Sequence, residues 1–133
     1  MTLPKKMQGV ILTGHGGPEM LEWRDDIAVP VPGKGDVVIR VAAAGVNNTD
    51  INTRTAWYSK GDADADDAAW SGTPLVFPRI QGADVSGKIV AVGEGVEDSR
   101  IGERVLIEPC LREAEGKMLE TPWYFGSECN GGL

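Results

Sequence analysis

Short runs of alternating apolar and polar residues recur along this chain, while the 3.6-residue spacing of an amphipathic helix is hard to find over any long window. Met7–Thr13 (MQGVILT) reads as a first strand, GHGGPE as a turn by its glycines and proline, and Met20–Asp25 (MLEWRD) as the return strand of a hairpin. Val29–Asp36 (VPVPGKGD) is excluded as a central strand, because its two prolines remove donors from the ladder. Asp36–Gly45 (DVVIRVAAAG) is the strongest strand, with Val37, Ile39 and Val41 on one face and Val38, Arg40 and Ala42 on the other. Ser86–Gly93 and Glu103–Pro109 are further strands, joined by the loop GEGVEDSRIG. After the strongest strand, Asn47, Asn48, Thr49 and Asp50 are all N-cap candidates for one short helix running to about Trp57. The pattern predicts a mainly β fold, a small barrel or sandwich with one short helix.

Composition narrows the class without naming a reaction. The 133 residues suffice for one ordinary domain, and 41% hydrophobic with 25% charged residues is the profile of a soluble globular protein. A formal net charge of −7 argues against nucleic acid or an anionic membrane as a partner. No apolar run approaches a membrane span or a signal-peptide core, so a cytoplasmic location is expected. Ser59–Pro74 is acidic and rich in small residues, and it reads as a mobile surface loop, with Gly61–Gly72 its least ordered part. The spacing of Asp62, Asp64 and Asp66 resembles the start of a calcium loop, but Asp67 stands where such a loop needs Gly and Thr73 where it needs the bidentate Glu. The end, SECNGGL, stops on an apolar residue just after a turn signal and reads as a chain cut inside a strand.

Candidate chemistry is mostly a matter of exclusion. Cys110 and Cys129 are nineteen residues apart with no Cys-x-x-Cys, and His15 is the single histidine, so no zinc ligand set is expected. Gly14-His15-Gly16-Gly17 and Gly93-Glu94-Gly95 are glycine loops, yet neither completes Gly-x-Gly-x-x-Gly ahead of a helix, and both read as turns. No serine lies in a Gly-x-Ser-x-Gly context, and a triad has only His15 to draw on. What remains is one polar pocket candidate, centred on Asn47–Tyr58.

The order of motifs resembles a known family. GVILTGHGGPEMLEW, PVPGKGDVVIRVAAAGVNNTDINTR, PRIQGADVSGKIVAVGEGV, IGERVLIEP and GSECNGGL are similar, in that order, to the N-terminal GroES-like catalytic domain of the medium-chain dehydrogenase/reductase superfamily. The resemblance implies a GroES-like β-barrel with one or two short helices over residues 1–133, and a Rossmann cofactor domain outside this chain. In the zinc enzymes of the superfamily a cysteine ligand stands at Asn47 and a histidine ligand at Ala83, so the resemblance is to the zinc-independent quinone oxidoreductase branch. That branch is matched at Gly45-Val46-Asn47, Asp50, Arg54 and Tyr58, with a departure at Ala56, where the branch has Gly.

The resemblance implies hydride transfer from NADPH to a small carbonyl or quinone substrate, with the protein supplying orientation and hydrogen-bond donors. It places Asn47 and Asn48 at the cofactor and makes Tyr58, Thr49 and Asn52 the catalytic candidates, Asn52 standing where some relatives carry Tyr. Asp50 and Arg54 are expected to brace the helix as an i, i+4 pair. Beyond substrate and cofactor, the only partner considered is a second copy of the chain in a homodimer. The alternative is a stand-alone GroES-like binding or structural module without catalytic activity, with no use for GVNNTDINTR ahead of a helix. A Gly-x-Gly-x-x-(Gly/Ala) fingerprint roughly 30–60 residues past Leu133 in the source gene would separate the two.

Overall fold

A computed structural model of the chain describes residues 2–59 and 74–133. The expected acidic loop, apart from its ends, lies outside the described residues. Strands β1 (Lys6–Leu12) and β2 (Leu21–Ala28) form the first hairpin. Strand β3 (Val37–Gly45) runs into the helix α1 (Asn48–Arg54) and pairs with β4 (Asp84–Val92), which pairs in turn with β5 (Arg104–Leu106). Strands β6 (Cys110–Ala114) and β7 (Lys117–Tyr124) make a last hairpin. All these pairs are antiparallel, in sheets of two, three and two strands. The mainly β reading holds. The strands form three hydrogen-bonded sheets, which do not close into one continuous barrel among the described residues.

Irregular backbone joins the sheets. Leu12 and Arg79 bridge β1 to the segment before β4, with N–H···O distances of 2.8 and 3.0 Å. Gly131, Gly132 and Leu133 donate to Ile80, Gly82 and Gln81, and the Leu133 carbonyl accepts from Val10 at 3.2 Å. The buried apolar residues Leu12, Val38, Leu75, Ile80, Val85 and Ile89 lie on these joined segments. Leu12 and Leu75 form a small core cluster that Met20 and Phe77 cover.

Two departures from simple alternation have local causes. Register shifts at Val38/Ile39 and Val41/Ala43 interrupt the pairing of β3 with β4, and of the strand's residues only Val38 is buried, at 7% exposure. The β6–β7 hairpin, which the hydrophobic pattern did not reveal, turns on Glu115 and Gly116. Both have positive φ (53° and 72°), the primed geometry that matches strand twist. The loop at Gly93 is a packing device: a Cβ there would lie 1.8 Å from the Gly33 carbonyl oxygen, and its N–H donates to Asp36 O at 2.8 Å.

Candidate functional site

Strand β3 ends at Gly45, and two residues later the chain turns into α1. Asn47 is the N-cap, extended at φ −139°, and its Oδ1 accepts from Thr49 N at 3.1 Å. Asp50 completes a capping box by accepting from Asn47 N at 3.0 Å through Oδ2. The cap therefore satisfies otherwise orphaned amides on this seven-residue helix, which could not persist in isolation.

The same residues tie the helix to the strand opposite. Asn47 Nδ2 donates to Asp84 Oδ2 at 2.6 Å, at the first residue of β4. Asp50 Oδ1 accepts from Gly82 N at 3.1 Å, and its carbonyl accepts from Gln81 Nε2 at 3.0 Å. The Thr49 hydroxyl also donates to Asn47 Oδ1. Asn47 thus has both ends of its amide engaged within the protein. Asn48, in the first turn, is exposed.

The expected Asp50–Arg54 pair does not form. Arg54 lies in the last turn and reaches the β1–β2 turn instead, its Nη1 donating to Gly16 O at 2.7 Å while Gly16 N donates to Arg54 O at 2.9 Å. His15 Nδ1 lies 2.9 Å from Thr53 O and edge-on to Phe77 at 5.0 Å. The glycine turn read from the sequence therefore closes the C-terminal end of α1, taking up carbonyls the helix itself cannot satisfy. The Glu19 carboxyl is held below its ordinary range by its own and the Gly17 backbone N–H groups, with Arg54 adding to the effect. The physical reason for the correction is competition: both Asp50 oxygens hold backbone amides, so the guanidinium finds a carbonyl from another loop.

Beyond Arg54 the helix stops earlier than the spacing predicts. Thr55 caps it, and Ala56 adopts φ +54°, a left-handed conformation that favours glycine. A single 3-10 turn, Trp57–Ser59, follows and presents Tyr58. Asn52 Nδ2 donates to Tyr58 Oη at 3.4 Å, and Trp57 packs edge-on to the Tyr58 ring at 5.3 Å. Among the residues singled out in the sequence, the structure pairs Asn47 with Thr49 and Asn52 with Tyr58.

Residues 33–133 match the family described as "Alcohol dehydrogenase GroES-like domain". The chain belongs to that family. It is 39% identical over 101 residues to the quinone oxidoreductase of Homo sapiens, covering 76% of this chain and 27% of that protein. It is 31% identical over 126 residues to the chloroplastic NADPH-dependent alkenal/one oxidoreductase of Arabidopsis thaliana, covering 95% and 28%. A crystal structure from Sinorhizobium meliloti 1021, provisionally assigned as an alcohol dehydrogenase, superposes with a TM-score of 0.84 at 44% identity, covering 98% of this chain and 37% of that one. The chain thus spans between 27% and 37% of the length of these relatives, within the medium-chain dehydrogenase/reductase superfamily and its quinone oxidoreductase-like branch.

Asn47 is committed to Thr49 and Asp84, and Ala83 presents only a methyl group. Among the described residues no three His, Cys, Asp or Glu side chains converge to hold a metal ion. The free thiols Cys110 and Cys129 lie near β7 and its following turn, and burial pushes the Cys129 thiol above its ordinary range. No helix among the described residues is long and apolar enough to cross a membrane. Sequence reasoning missed Asp84, Gln81 and Gly16 as partners of α1. Each lies about 30 or more positions away, and no local pattern reports such pairing.

Proposed function

We propose that this chain is the catalytic-domain portion of a zinc-independent, NADPH-dependent oxidoreductase that reduces a quinone, an enone or a related activated carbonyl. The observation that carries the reading is the Asn52–Tyr58 contact. Asn52 donates to Tyr58 Oη, which leaves the phenolic O–H to donate to a substrate oxygen. The names of the relatives, a quinone oxidoreductase and an NADPH-dependent alkenal/one oxidoreductase, support the substrate class and the cofactor.

NADPH, when bound, supplies the hydride. The residues of this chain orient and donate. Tyr58 donates toward the oxygen on which charge grows, while the Thr49 hydroxyl, whose proton goes to Asn47 Oδ1, steadies the first turn of α1. Asn48 offers an exposed amide to the nicotinamide end, while Asn47 holds the first turn of α1 in register through Thr49 and Asp84. These residues serve the nicotinamide end; in the two glycine loops read from the sequence, Gly16 is bonded to Arg54 of α1 and Gly93 packs on Gly33. The proposal includes a cytoplasmic location for the enzyme.

The test is a Tyr58→Phe change in the protein that carries both this domain and its cofactor-binding remainder. The kcat with a quinone or enone should fall by about a hundredfold or more while NADPH affinity holds. A wild-type kcat in that variant would remove Tyr58 from the chemistry.

A further inference from the structure

Behind α1, on the side away from Asn48, lies a small, half-open space of about 10 Å³ between the helix, the Gln81–Ala83 turn and the Phe125–Ser127 turn. Its lining is about evenly polar and apolar, with Thr49, Thr53, Gln81 and Ser127 among the polar contributors and the Ala83 methyl as part of its apolar wall. Ser127 is 3% exposed, and its Oγ has no hydrogen-bond partner among the described residues. Thr53 and Gln81 are buried as well. A buried hydroxyl without a partner is costly, and native structures nearly always resolve it.

We infer that this space is a hydration site for one water molecule, anchored by Ser127 Oγ, that bridges the Phe125–Ser127 turn to helix α1. The volume is that of a single water, near the lower limit for holding one. The polar partners suffice. Gln81 Nε2 is spent on Asp50 O, which leaves Oε1 as an acceptor. The Thr49 hydroxyl donates to Asn47 Oδ1 and keeps its own lone pairs. With the Ser127 hydroxyl these provide the two to four contacts that a buried water needs.

The walls cannot collapse to close the space. A Cβ on Gly126 would come within 2.8 Å of Gly82 N, so the two turns already touch through backbone, and Ser127 N is fixed on Tyr124 O at 2.9 Å. The water therefore couples the turn after β7 to the helix that carries Thr49 and Asn52.

High-resolution crystallography of the purified chain, with water-oxygen magnetic relaxation dispersion in solution, tests the inference. The wild-type protein should show one ordered water within about 3.2 Å of Ser127 Oγ. Ser127→Val, whose methyl groups fill the space, should lower the count of long-lived waters by one. Ser127→Ala should keep the space and let the water exchange faster. A dry space with Ser127 Oγ turned onto a protein carbonyl, or an unchanged water count in S127V, overturns the inference. If S127V does not fold, the wild-type density alone decides.

Discussion

Arg54 offers a sharp test of how α1 is held. Replacing it with Met keeps the length and the apolar stem but removes the guanidinium that donates to Gly16 O at 2.7 Å. A hydrogen bond with one charged partner contributes about 1.5–3 kcal/mol, and the half-buried setting of Arg54 places it in the lower part of that range. The positive charge in the last turn of α1 adds about 0.3–1 kcal/mol through the helix dipole. The main-chain bond from Gly16 N to Arg54 O survives the change. The expected loss is therefore about 2 kcal/mol, roughly a thirtyfold drop in the folding constant. Urea unfolding followed by tryptophan fluorescence should show a midpoint lower by about 1 M at an ordinary slope. Arg54→Lys, which keeps the charge as a single point donor, should lose less than half as much. A change within about 0.5 kcal/mol for Arg54→Met would show that the turn does not need the guanidinium. A double-mutant cycle with Asp50 that gave a coupling above about 1 kcal/mol would show that the two side chains do meet, against the geometry.

Three further outcomes follow from single contacts. Asn47→Asp keeps the cap oxygen but sets a second carboxylate against Asp84. Like-charge crowding raises the pKa of the pair in the folded state, so the folded form binds more protons, and stability should rise as pH falls through that raised value, the reverse of an ordinary acid titration. Ala56→Gly relieves the left-handed strain at φ +54° and should raise stability by about 0.5–1 kcal/mol; a net loss would mean that the entropy of the added glycine outweighs the strain. Cys129, pushed up by burial, stays neutral in the fold above the pH where an unfolded thiol ionises, near about 8.5. Stability should therefore fall as pH rises from that value, and alkylation of Cys129 should be slower than in urea at the same pH.

The parts of this fold that were legible in the sequence are those written in local pattern. β1, β2, β3 and β4 stand within a residue or three of their expected bounds, because alternation and glycine turns mark them directly. A cap in this stretch was legible too, but Asn47 was only one of four candidates, and the capping box with Asp50 is what selects it. The β6–β7 hairpin was not, because its turn uses Glu115-Gly116 in place of an Asn-Gly or Asp-Gly pair and its strands alternate weakly. Helix α1 ends at Arg54, short of Trp57, because Ala56 takes a conformation that its residue type disfavours. The partners of Asp50 and Arg54 were hidden for another reason. Both side chains bond to backbone atoms far along the chain, and backbone atoms carry no residue-type signal.

The most direct test of the central claim uses the protein that carries both this domain and its cofactor-binding remainder, dialysed against a chelator. It is given NADPH deuterated at the transferring position and an enone or quinone substrate. The account predicts undiminished turnover without metal, with deuterium delivered to the reduced product and a rate that Tyr58→Phe cuts by about a hundredfold. Activity that vanishes with the chelator and returns with zinc, or a product without deuterium, would contradict it.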